Sequence, residues 1–143
     1  MYPIVRCDNS PHTVRRYLPE VNRLCARISP NHEEVTFSAL MESALKSCLL
    51  FCWDQDSSLA GMGMLSAVPS FHPYGIIDYV VVDERHEGKG VGKMIMHALI
   101  NDARALKLHH IDLTSKPSRE RANKLYPKLG FELRETNVYR LKL

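Results

Sequence analysis

The sequence predicts a single α/β domain over residues 1–143, built on a mixed and mostly antiparallel sheet with helices on both faces. Its 143 residues, 45% of them apolar, are enough to bury one core. A strand–helix–strand unit over Ile76–Leu113 requires a right-handed crossover between parallel strands. Upstream, two apolar segments, Leu49–Trp53 and Leu59–Val68, flank a polar turn and predict an antiparallel hairpin.

The chain begins with one predicted strand and two predicted helices. Tyr2–Cys7 has the composition of a short strand. Thr13–Ile28 repeats apolar residues at helical period, and Pro19 inside it is expected to kink or split the helix. The segment Ser29–Asn31 is expected to break the chain before a second helix over Glu33–Ser47.

The second strand of the hairpin contains two glycines, Gly61 and Gly63. Glycines inside a strand indicate either a β-bulge or the close approach of another chain segment. The strand Ile76–Val82 follows, and then Val91–Leu106, whose apolar residues form one continuous helical stripe.

The last third of the chain contains one more crossover strand and one more helix. A short strand is predicted at His109–Leu113. A helix is predicted at Ser118–Lys128, with Ser118 as its N-cap and Gly130 as its C-cap. Glu132–Arg134 and Asn137–Leu143 are expected to form a final strand or hairpin.

The composition argues against several classes of protein. No apolar run approaches the ~20 residues that cross a bilayer, and the first residues lack the pattern of a signal peptide. We therefore expect a cytoplasmic protein. The cysteines lack zinc-type spacing and the seven histidines are scattered, so we predict no metal site. Buried free thiols are expected at Cys7, Cys25, Cys48 and Cys52.

Charge is distributed unevenly along the chain. Residues 1–80 hold 6 Lys and Arg against 8 Asp and Glu, whereas residues 81–143 hold 13 against 8. The basic excess is compatible with an anionic ligand in the second half and also with an ordinary solvated surface. The basic residues are too dispersed to predict nucleic-acid binding.

The most informative segment links the first strand of the crossover to its helix. It runs from Val80–Val82 through a charged turn to three alternating glycines, Gly88, Gly90 and Gly92. Such a loop gathers backbone N–H groups at the positive end of a helix dipole. Three alternating glycines exceed what a turn needs, so we predict a phosphate or diphosphate ligand. The predicted amide donors are Glu87, Gly88, Lys89, Gly90, Val91, Gly92 and Lys93.

Two common nucleotide-binding motifs do not fit this loop. A Walker A loop would require a glycine where Glu87 stands and a hydroxyl residue where Met94 stands. A Rossmann fingerprint would require its third glycine at Lys93 or Ile95. The loop therefore belongs to neither class.

A third pattern fits. The segment Arg85–Lys93 resembles the motif Arg/Gln-x-x-Gly-x-Gly/Ala that GNAT acetyltransferases carry between a core strand and a long helix. One frame of the motif starts at Arg85. The preferred frame puts its glycines directly at the helix start and places Glu87 where the family has Arg or Gln. Glu87 then brings a negative charge to the diphosphate site, which Arg85 or Lys89 would offset.

A second resemblance lies downstream. Ala122–Phe131 is similar to the GNAT segment Ala-x-x-Leu-Tyr-x-Lys-Leu-Gly-Phe. The motif-bearing resemblance covers about half of the chain, from Asp78 to Leu143, and the first half is matched by element order alone. The chain therefore resembles a small, single-domain GNAT acetyltransferase.

The resemblance implies how acetyl-CoA would be bound. In the family, two parallel strands splay apart and the pantetheine arm of acetyl-CoA lies in the gap; here they are Ile76–Val82 and His109–Leu113. Main-chain groups of Val80, Val81 and Val82 would hold the arm and the thioester carbonyl. The glycine loop would hold the diphosphate.

The resemblance also implies catalytic roles. Tyr126 matches the family tyrosine near the CoA sulfur and is the candidate general acid. Asp78 matches an acidic position in similar proteins and is the candidate general base, acting directly or through water. Asp112 is the second candidate, and a reaction without a dedicated base is a further alternative. Arg119 replaces a cofactor-contacting Asn and either reaches a phosphate or is solvated.

We therefore expect an acetyl-CoA-dependent N-acetyltransferase that moves an acetyl group to a primary amine by direct attack in a ternary complex. The alternative is a non-catalytic module of the same fold that binds or senses acyl-CoA. The amine acceptor stays open among peptides, polyamines, antibiotics and small metabolites. The resemblance allows a homodimer, and the sequence predicts neither a nucleic-acid nor a membrane partner.

Overall fold

The computed structural model describes residues 1–29 and 31–143, so Pro30, at the centre of the predicted chain break, lies outside the described residues. The described part contains five strands, four α-helices and a short 3-10 turn at Glu84–His86. In chain order the main elements are β1 (Ile4–Arg6), α1 (Pro11–Cys25), α2 (Phe37–Lys46), β2 (Cys48–Trp53), β3 (Leu59–Val68), β4 (Tyr74–Val82), α3 (Val91–Ala105), β5 (Ile111–Leu113) and α4 (Glu120–Lys128).

The strands form one sheet in the order β1-β2-β3-β4-β5. The first three pairs are antiparallel, and β4 and β5 are parallel, with α3 as the crossover between them. The predicted mixed, mostly antiparallel sheet is confirmed. The bounds of β3 agree with the prediction because its apolar run stops at a polar turn on one side and at Pro69 on the other.

Helices cover both faces of this sheet, as predicted. Side chains alternate along β2, so that Leu49 and Phe51 pack with α1 and α2 while Leu50 and Cys52 pack with α3. Two apolar clusters result, one on each side of the sheet. The clusters fix α3 against the strands that border the glycine loop.

Helix α3 packs directly on the backbone of β3. A Cβ added at Gly63 would lie 2.6 Å from Ile95 Cγ2, and one added at Gly61 would lie 2.9 Å from Ile95 Cδ1. The two glycines therefore mark the close approach that the sequence indicated. A larger residue at either position would push α3 away from the sheet.

Of the two effects predicted for Pro19, a kink or a split of the first helix, the split is wrong. Helix α1 continues from Pro11 to Cys25, and the Ser10 side chain caps it by accepting a hydrogen bond from the Thr13 N–H at 3.2 Å. Pro19 is exposed, on the side of the helix away from the sheet. Its missing N–H removes one hydrogen bond, and burial of the opposite, apolar face keeps the helix continuous.

The predicted final strand or hairpin is also wrong. Residues Glu132–Leu143 form neither strand nor helix, and all twelve are exposed. Helix α4 begins at Glu120, with Arg119 rather than the predicted Ser118 at the N-cap position, because the chain first closes a turn from the Arg119 N–H to the Lys116 carbonyl. The chain leaves the end of α4 and runs into solvent.

Candidate active site

A β-bulge in β4 distorts the sheet at its centre. The pairing of β3 with β4 shifts between Met62 and Met64, so that Tyr79 and Val80 together stand opposite one residue of β3. Tyr79 takes a left-handed conformation with a φ of +54°. This conformation is strained for a bulky residue and persists only where the surrounding structure imposes it.

The parallel pairing between β4 and β5 stops just before this bulge. It joins Gly75–Ile77 to Ile111–Leu113. In the described part of the chain, the β4 residues Asp78–Val82 have no strand partner on the β5 side. The two strands therefore leave a gap that begins at Asp78.

Main-chain groups of β4 point into this gap. The Asp83 N–H donates to the Ala60 carbonyl of β3 at 2.8 Å. Because N–H and C=O groups alternate in direction along a regular strand, Val82 presents its groups away from β3, whereas Val81 presents its own to β3. Of the three main-chain positions predicted to hold a pantetheine arm, Val82 thus faces away from β3 and Val81 faces β3, and the role of all three stays a prediction.

The loop between β4 and α3 carries open amides. Gly88 and Gly90 have φ values of +74° and +83°, and no atom of the described residues lies within 4 Å of a Cβ added at either position. The Glu87 and Lys89 amides donate within the turn, over 3.3 and 3.4 Å. The other amides of the predicted donor segment have no acceptor in the described part of the chain; they are those of Gly88, Gly90, Val91, Gly92 and Lys93.

The N-terminus of α3 contributes further open N–H groups next to this loop. Gly90 occupies the N-cap position without a side-chain cap, so the first-turn N–H groups stay open and the positive end of the helix dipole faces the same space. Lys89 and Lys93 are exposed beside it. The loop therefore fits a phosphate or diphosphate in both charge and donor type.

Two arginines from distant segments neutralise Glu87. Arg27, just after α1, donates to its carboxylate at 2.7 Å, and Arg121 of α4 donates to the second oxygen at 2.6 Å. The expectation that Arg85 or Lys89 offsets this charge is wrong: Arg85 pairs with Asp83 instead, and Lys89 forms no ion pair with Glu87 among the described residues. With Glu87 bound by two cations, the loop keeps a net positive charge.

The segment after α1 is held close to the loop by further hydrogen bonds. Arg27 donates to the Val82 carbonyl at 2.9 Å, so one main-chain acceptor at the gap is already occupied. Arg119 donates to the Ile28 carbonyl at 2.8 Å and is partly buried. Arg119 is thus partly exposed and hydrogen-bonded within the chain, and its contact with a phosphate stays a prediction.

Asp83 is the buried anchor at the entrance to the loop. Its side chain is 3% exposed and accepts hydrogen bonds from the Arg85 side chain at 2.9 Å, from the Arg85 N–H at 2.9 Å and from the Arg23 guanidinium. The Arg85 side chain, the Arg85 N–H and Arg23 hold the pKa of Asp83 far below its usual range, against the opposing effect of burial. The ionised carboxylate thereby fixes the turn that leads to the glycines.

We expect Asp83→Asn to lower the free energy of unfolding at pH 7 by about 1–3 kcal/mol, since charge-assisted hydrogen bonds to a buried carboxylate are lost. The folded-state pKa is depressed, so this stabilisation is present above the ordinary aspartate pKa of about 4 and is lost as pH falls below it. Urea unfolding at pH 7 and at low pH measures both effects. Asp56→Asn, at an exposed carboxylate in the β2–β3 turn, is the matched control. Equal effects of the two substitutions at pH 7 would contradict the role of Asp83.

Tyr126 lies on the inward face of α4. Its ring meets Phe131 edge to face, with centroids 6.0 Å apart, and its hydroxyl has no hydrogen-bond partner within residues 1–29 and 31–143. The side chain lines a groove of about 1140 Å³ between β5, α4 and residues 131–134. Asn123, one helical turn before Tyr126, donates to the Lys116 carbonyl at 2.9 Å and fixes the loop between β5 and α4. The tyrosine hydroxyl is thus free to meet a ligand.

The two candidate bases have different surroundings. Asp78 lies at the start of the gap, is exposed, and has no ion pair or hydrogen bond from a side chain in the described part of the chain; partial desolvation of its carboxylate raises its pKa. Asp112, in β5, lies 3.7 Å from both His110 and Arg134. Asp112 therefore already has the Arg134 cation beside it, and Asp78 is the better candidate for accepting a proton.

The cysteines lie outside this region. All four are buried free thiols, as predicted, and burial raises the pKa of Cys7, Cys25 and Cys52 to about 11. Among the described residues, no cluster of three or more His, Cys, Asp or Glu side chains is placed to hold a metal ion. No helix in residues 1–29 and 31–143 combines the length and apolar character needed to span a membrane.

The sequence analysis missed three residues of this site: Arg27, Arg121 and Tyr79. The two arginines gave no local signal, because 60 and 34 residues separate them from Glu87. Gly63 did indicate a bulge in the sequence. Because Gly63 lies on β3, opposite the bulge, it did not identify Tyr79 of β4.

The fold and this loop together define an α/β domain in which a parallel strand pair opens toward the N-terminus of a helix with free amides. The chain belongs to the acetyltransferase (GNAT) family, whose sequence model matches residues 17–131. The match covers every element from α2 to α4 and most of α1. The family resemblance stated from the sequence is therefore confirmed.

Among curated proteins, the chain is similar to a mycothiol acetyltransferase from Propionibacterium freudenreichii subspecies shermanii. The two are 33% identical over 91 residues, which are 63% of this chain and 29% of the relative. The aligned region is thus less than a third of the relative's length.

Solved structures confirm the fold. A Trypanosoma brucei acetyltransferase superposes with a TM-score of 0.79 at 22% identity over 100% of both chains. A glucosamine-6-phosphate N-acetyltransferase from Arabidopsis thaliana superposes with a TM-score of 0.79 at 18% identity, over 99% of this chain and 98% of that one. At these identities the structures support the architecture alone.

Proposed function

We propose that this domain is an acetyl-CoA-dependent N-acetyltransferase that moves an acetyl group to a primary amine by direct attack in a ternary complex. The observation that carries the proposal is the set of five open amides at the start of α3, next to the gap between β4 and β5. Family membership and the acetyltransferase relative support acetyl transfer as the reaction.

The residues present fit acetyl-CoA, which would supply an activated thioester. The amides of Gly88, Gly90 and the first turn of α3 would bind the diphosphate. Main-chain N–H groups of Val80 and Val82 would pair with the pantetheine arm as a neighbouring strand does, and the Val82 carbonyl, which accepts a hydrogen bond from Arg27, would not. Arg27 and Arg121 share one carboxylate, that of Glu87, so the pair keeps a net positive charge. That charge would attract the phosphates.

The transfer itself needs a proton acceptor and a proton donor. Asp78 would remove a proton from the amine, directly or through water, and Tyr126 would protonate the departing thiolate. N–H groups at the bulge of β4 would hydrogen-bond the thioester oxygen as negative charge develops on it. Buried thiols with raised pKa values are poor nucleophiles, which favours direct transfer over an acyl-cysteine route.

A thiol-release assay with acetyl-CoA and a panel of amines tests the proposal. The panel contains peptide N-termini, polyamines, aminoglycosides and small amino metabolites, and mass spectrometry checks for an acetylated amine product. Release of CoA that depends on the amine and yields an N-acetyl product is the expected result. Binding of acetyl-CoA without transfer to any amine class would favour the sensing module instead.

Asp78→Asn is expected to lower kcat/KM by a factor of about 10² to 10⁴ and to change its pH profile. Only the ionised carboxylate accepts a proton, and partial desolvation raises its pKa, so wild-type activity should fall on acidification at a higher pH than an ordinary aspartate would give. The variant should lose this acidic limb, while the limb set by ionisation of the amine remains. An unchanged profile in the variant would show that Asp78 is not the base.

A further inference from the structure

Three hydrogen-bonded side chains, those of Tyr2, His86 and Asp54, join distant segments of the chain at the start of the loop between β4 and α3. Nδ1 of His86 lies 3.0 Å from the Tyr2 hydroxyl, and Nε2 lies 3.1 Å from the Asp54 carboxylate. The side chains of His86 and Asp54 are only 12% and 7% exposed. The rings of Tyr2 and His86 also meet edge to face, with centroids 5.4 Å apart. No step of the proposed transfer uses these three side chains.

The hydrogen bonds of this network have one consistent direction. Burial acts to raise the pKa of Asp54, but hydrogen bonds outweigh it and hold that pKa below its usual range. The donors are the Ser58 N–H, the His86 ring and the Asp56 N–H. Because an ionised carboxylate only accepts hydrogen bonds, Nε2 of His86 donates to Asp54, and Nδ1 of the neutral ring accepts from the Tyr2 hydroxyl. Both ring nitrogens are thus engaged within the chain, so His86 would act through the loop and not on a ligand directly.

The two partners of His86 are fixed by their own segments. Asp54 closes the turn between β2 and β3, where its other oxygen accepts two backbone N–H groups at 2.9 Å. Pro3, the residue after Tyr2, accepts the Trp53 N–H at its carbonyl over 3.0 Å. The edge of the sheet therefore orients the His86 ring from two sides.

The main chain of His86 forms the beginning of the loop. Its N–H donates to the Asp83 carbonyl at 2.9 Å, and its carbonyl accepts from the Lys89 N–H at 3.4 Å. Gly88 and Gly90 follow with positive φ values. Because glycine has more conformational freedom than any other residue, a loop built on glycines needs an anchor outside itself. The His86 side chain supplies that anchor on the β4 side of the loop, and α3 supplies it on the other.

We propose that His86 is a positioning residue for this loop: Asp54 and Tyr2 hold its ring, and the ring holds the loop in the conformation that leaves its amides open. The assignment of those amides to a diphosphate rests on the proposed function. A flexible loop loses conformational entropy when it becomes ordered around a ligand, whereas a loop that is already ordered does not. The network therefore contributes to affinity for the diphosphate and not to the chemical step.

Calorimetry with two ligands separates this role from a general effect on the fold. His86→Ala should raise the dissociation constant of acetyl-CoA by about tenfold or more and leave that of acetyl-pantetheine, which has no diphosphate, unchanged. His86→Gln keeps an N–H for Asp54 and should restore part of the affinity. Tyr2→Phe removes one hydroxyl and should act like His86→Ala with a smaller effect. A loss of folded protein would lower the number of binding sites without changing the ratio of the two constants. The matched control is His97→Ala, at an exposed histidine of α3, which should change neither constant.

Nuclear magnetic resonance relaxation without ligand tests the loop itself. The backbone order parameters of Gly88 and Gly90 should fall in His86→Ala and in Tyr2→Phe, and should keep their wild-type values in His97→Ala. Unchanged order parameters, or a ratio of the two dissociation constants that His86→Ala leaves as in the wild type, would overturn the positioning role. A wild type that does not bind acetyl-CoA would count against the proposed function instead, because the order parameters are measured without that ligand.

Discussion

Replacing Tyr126 by Phe is expected to lower kcat for amine acetylation by a factor of about 10² to 10⁴, the usual contribution of a general acid. The substitution removes one hydroxyl, and that hydroxyl has no hydrogen-bond partner within the described residues, so stability should not change. The ring keeps its packing on Phe131. Affinity for acetyl-CoA should therefore stay close to that of the wild type, measured by calorimetry beside steady-state kinetics.

Tyr17→Phe is the matched control for this substitution. Tyr17 lies in α1, on the opposite side of the sheet, where its ring packs against Phe51 and Trp53. Its variant should retain wild-type kcat. Equal kcat values for Tyr126→Phe and the wild type would show that Tyr126 is not the general acid. Solvent would then protonate the thiolate.

Gly92→Asp is expected to raise the dissociation constant of acetyl-CoA by about a hundredfold or more, through repulsion between the new carboxylate and the diphosphate. The substitution should not harm the fold. A Cβ at Gly92 lies 3.4 Å from Val82 Cγ2, an ordinary contact, and its φ is not positive. A carboxylate in the first turn also interacts favourably with the helix dipole. Gly92→Asp should thus weaken the binding of acetyl-CoA while it raises the thermal stability of the protein.

Gly92→Asn separates charge from bulk in this experiment. Asn has the size of Asp without its charge, so it should weaken binding far less than Asp does. The difference between the two variants should shrink as salt is added, because the charge interaction is screened. If Asn and Asp weaken binding equally at low salt, the loop does not bind an anion.

The sequence was sufficient to predict the position of those helices and strands whose hydrophobic pattern is local. Val91 begins α3 as expected because an apolar stripe of helical period starts directly after the glycines. β3 was predicted with its full bounds because polar and proline residues flank its apolar run. Both elements border the candidate site, so the position of the loop followed from the sequence.

Features set by long-range contacts could not be predicted in the same way. Helix α1 continues through Pro19 because burial of its far face outweighs one lost hydrogen bond. Glu87 obtains its counter-ions from Arg27 and Arg121, which no spacing rule connects to it. Residues 132–143 were predicted to form a strand or hairpin, and the chain forms neither there.

The central claim is that the open amides at the start of α3 bind the diphosphate of acetyl-CoA. Calorimetric titration of the wild-type protein with acetyl-CoA and with acetyl-pantetheine, which lacks the diphosphate, tests it most directly. We expect one saturable site for acetyl-CoA, binding weaker by about a hundredfold or more for acetyl-pantetheine, and little difference between the two ligands for Gly92→Asp. Equal affinity of the wild type for both ligands, or no heat and no thermal shift with acetyl-CoA, would contradict the claim.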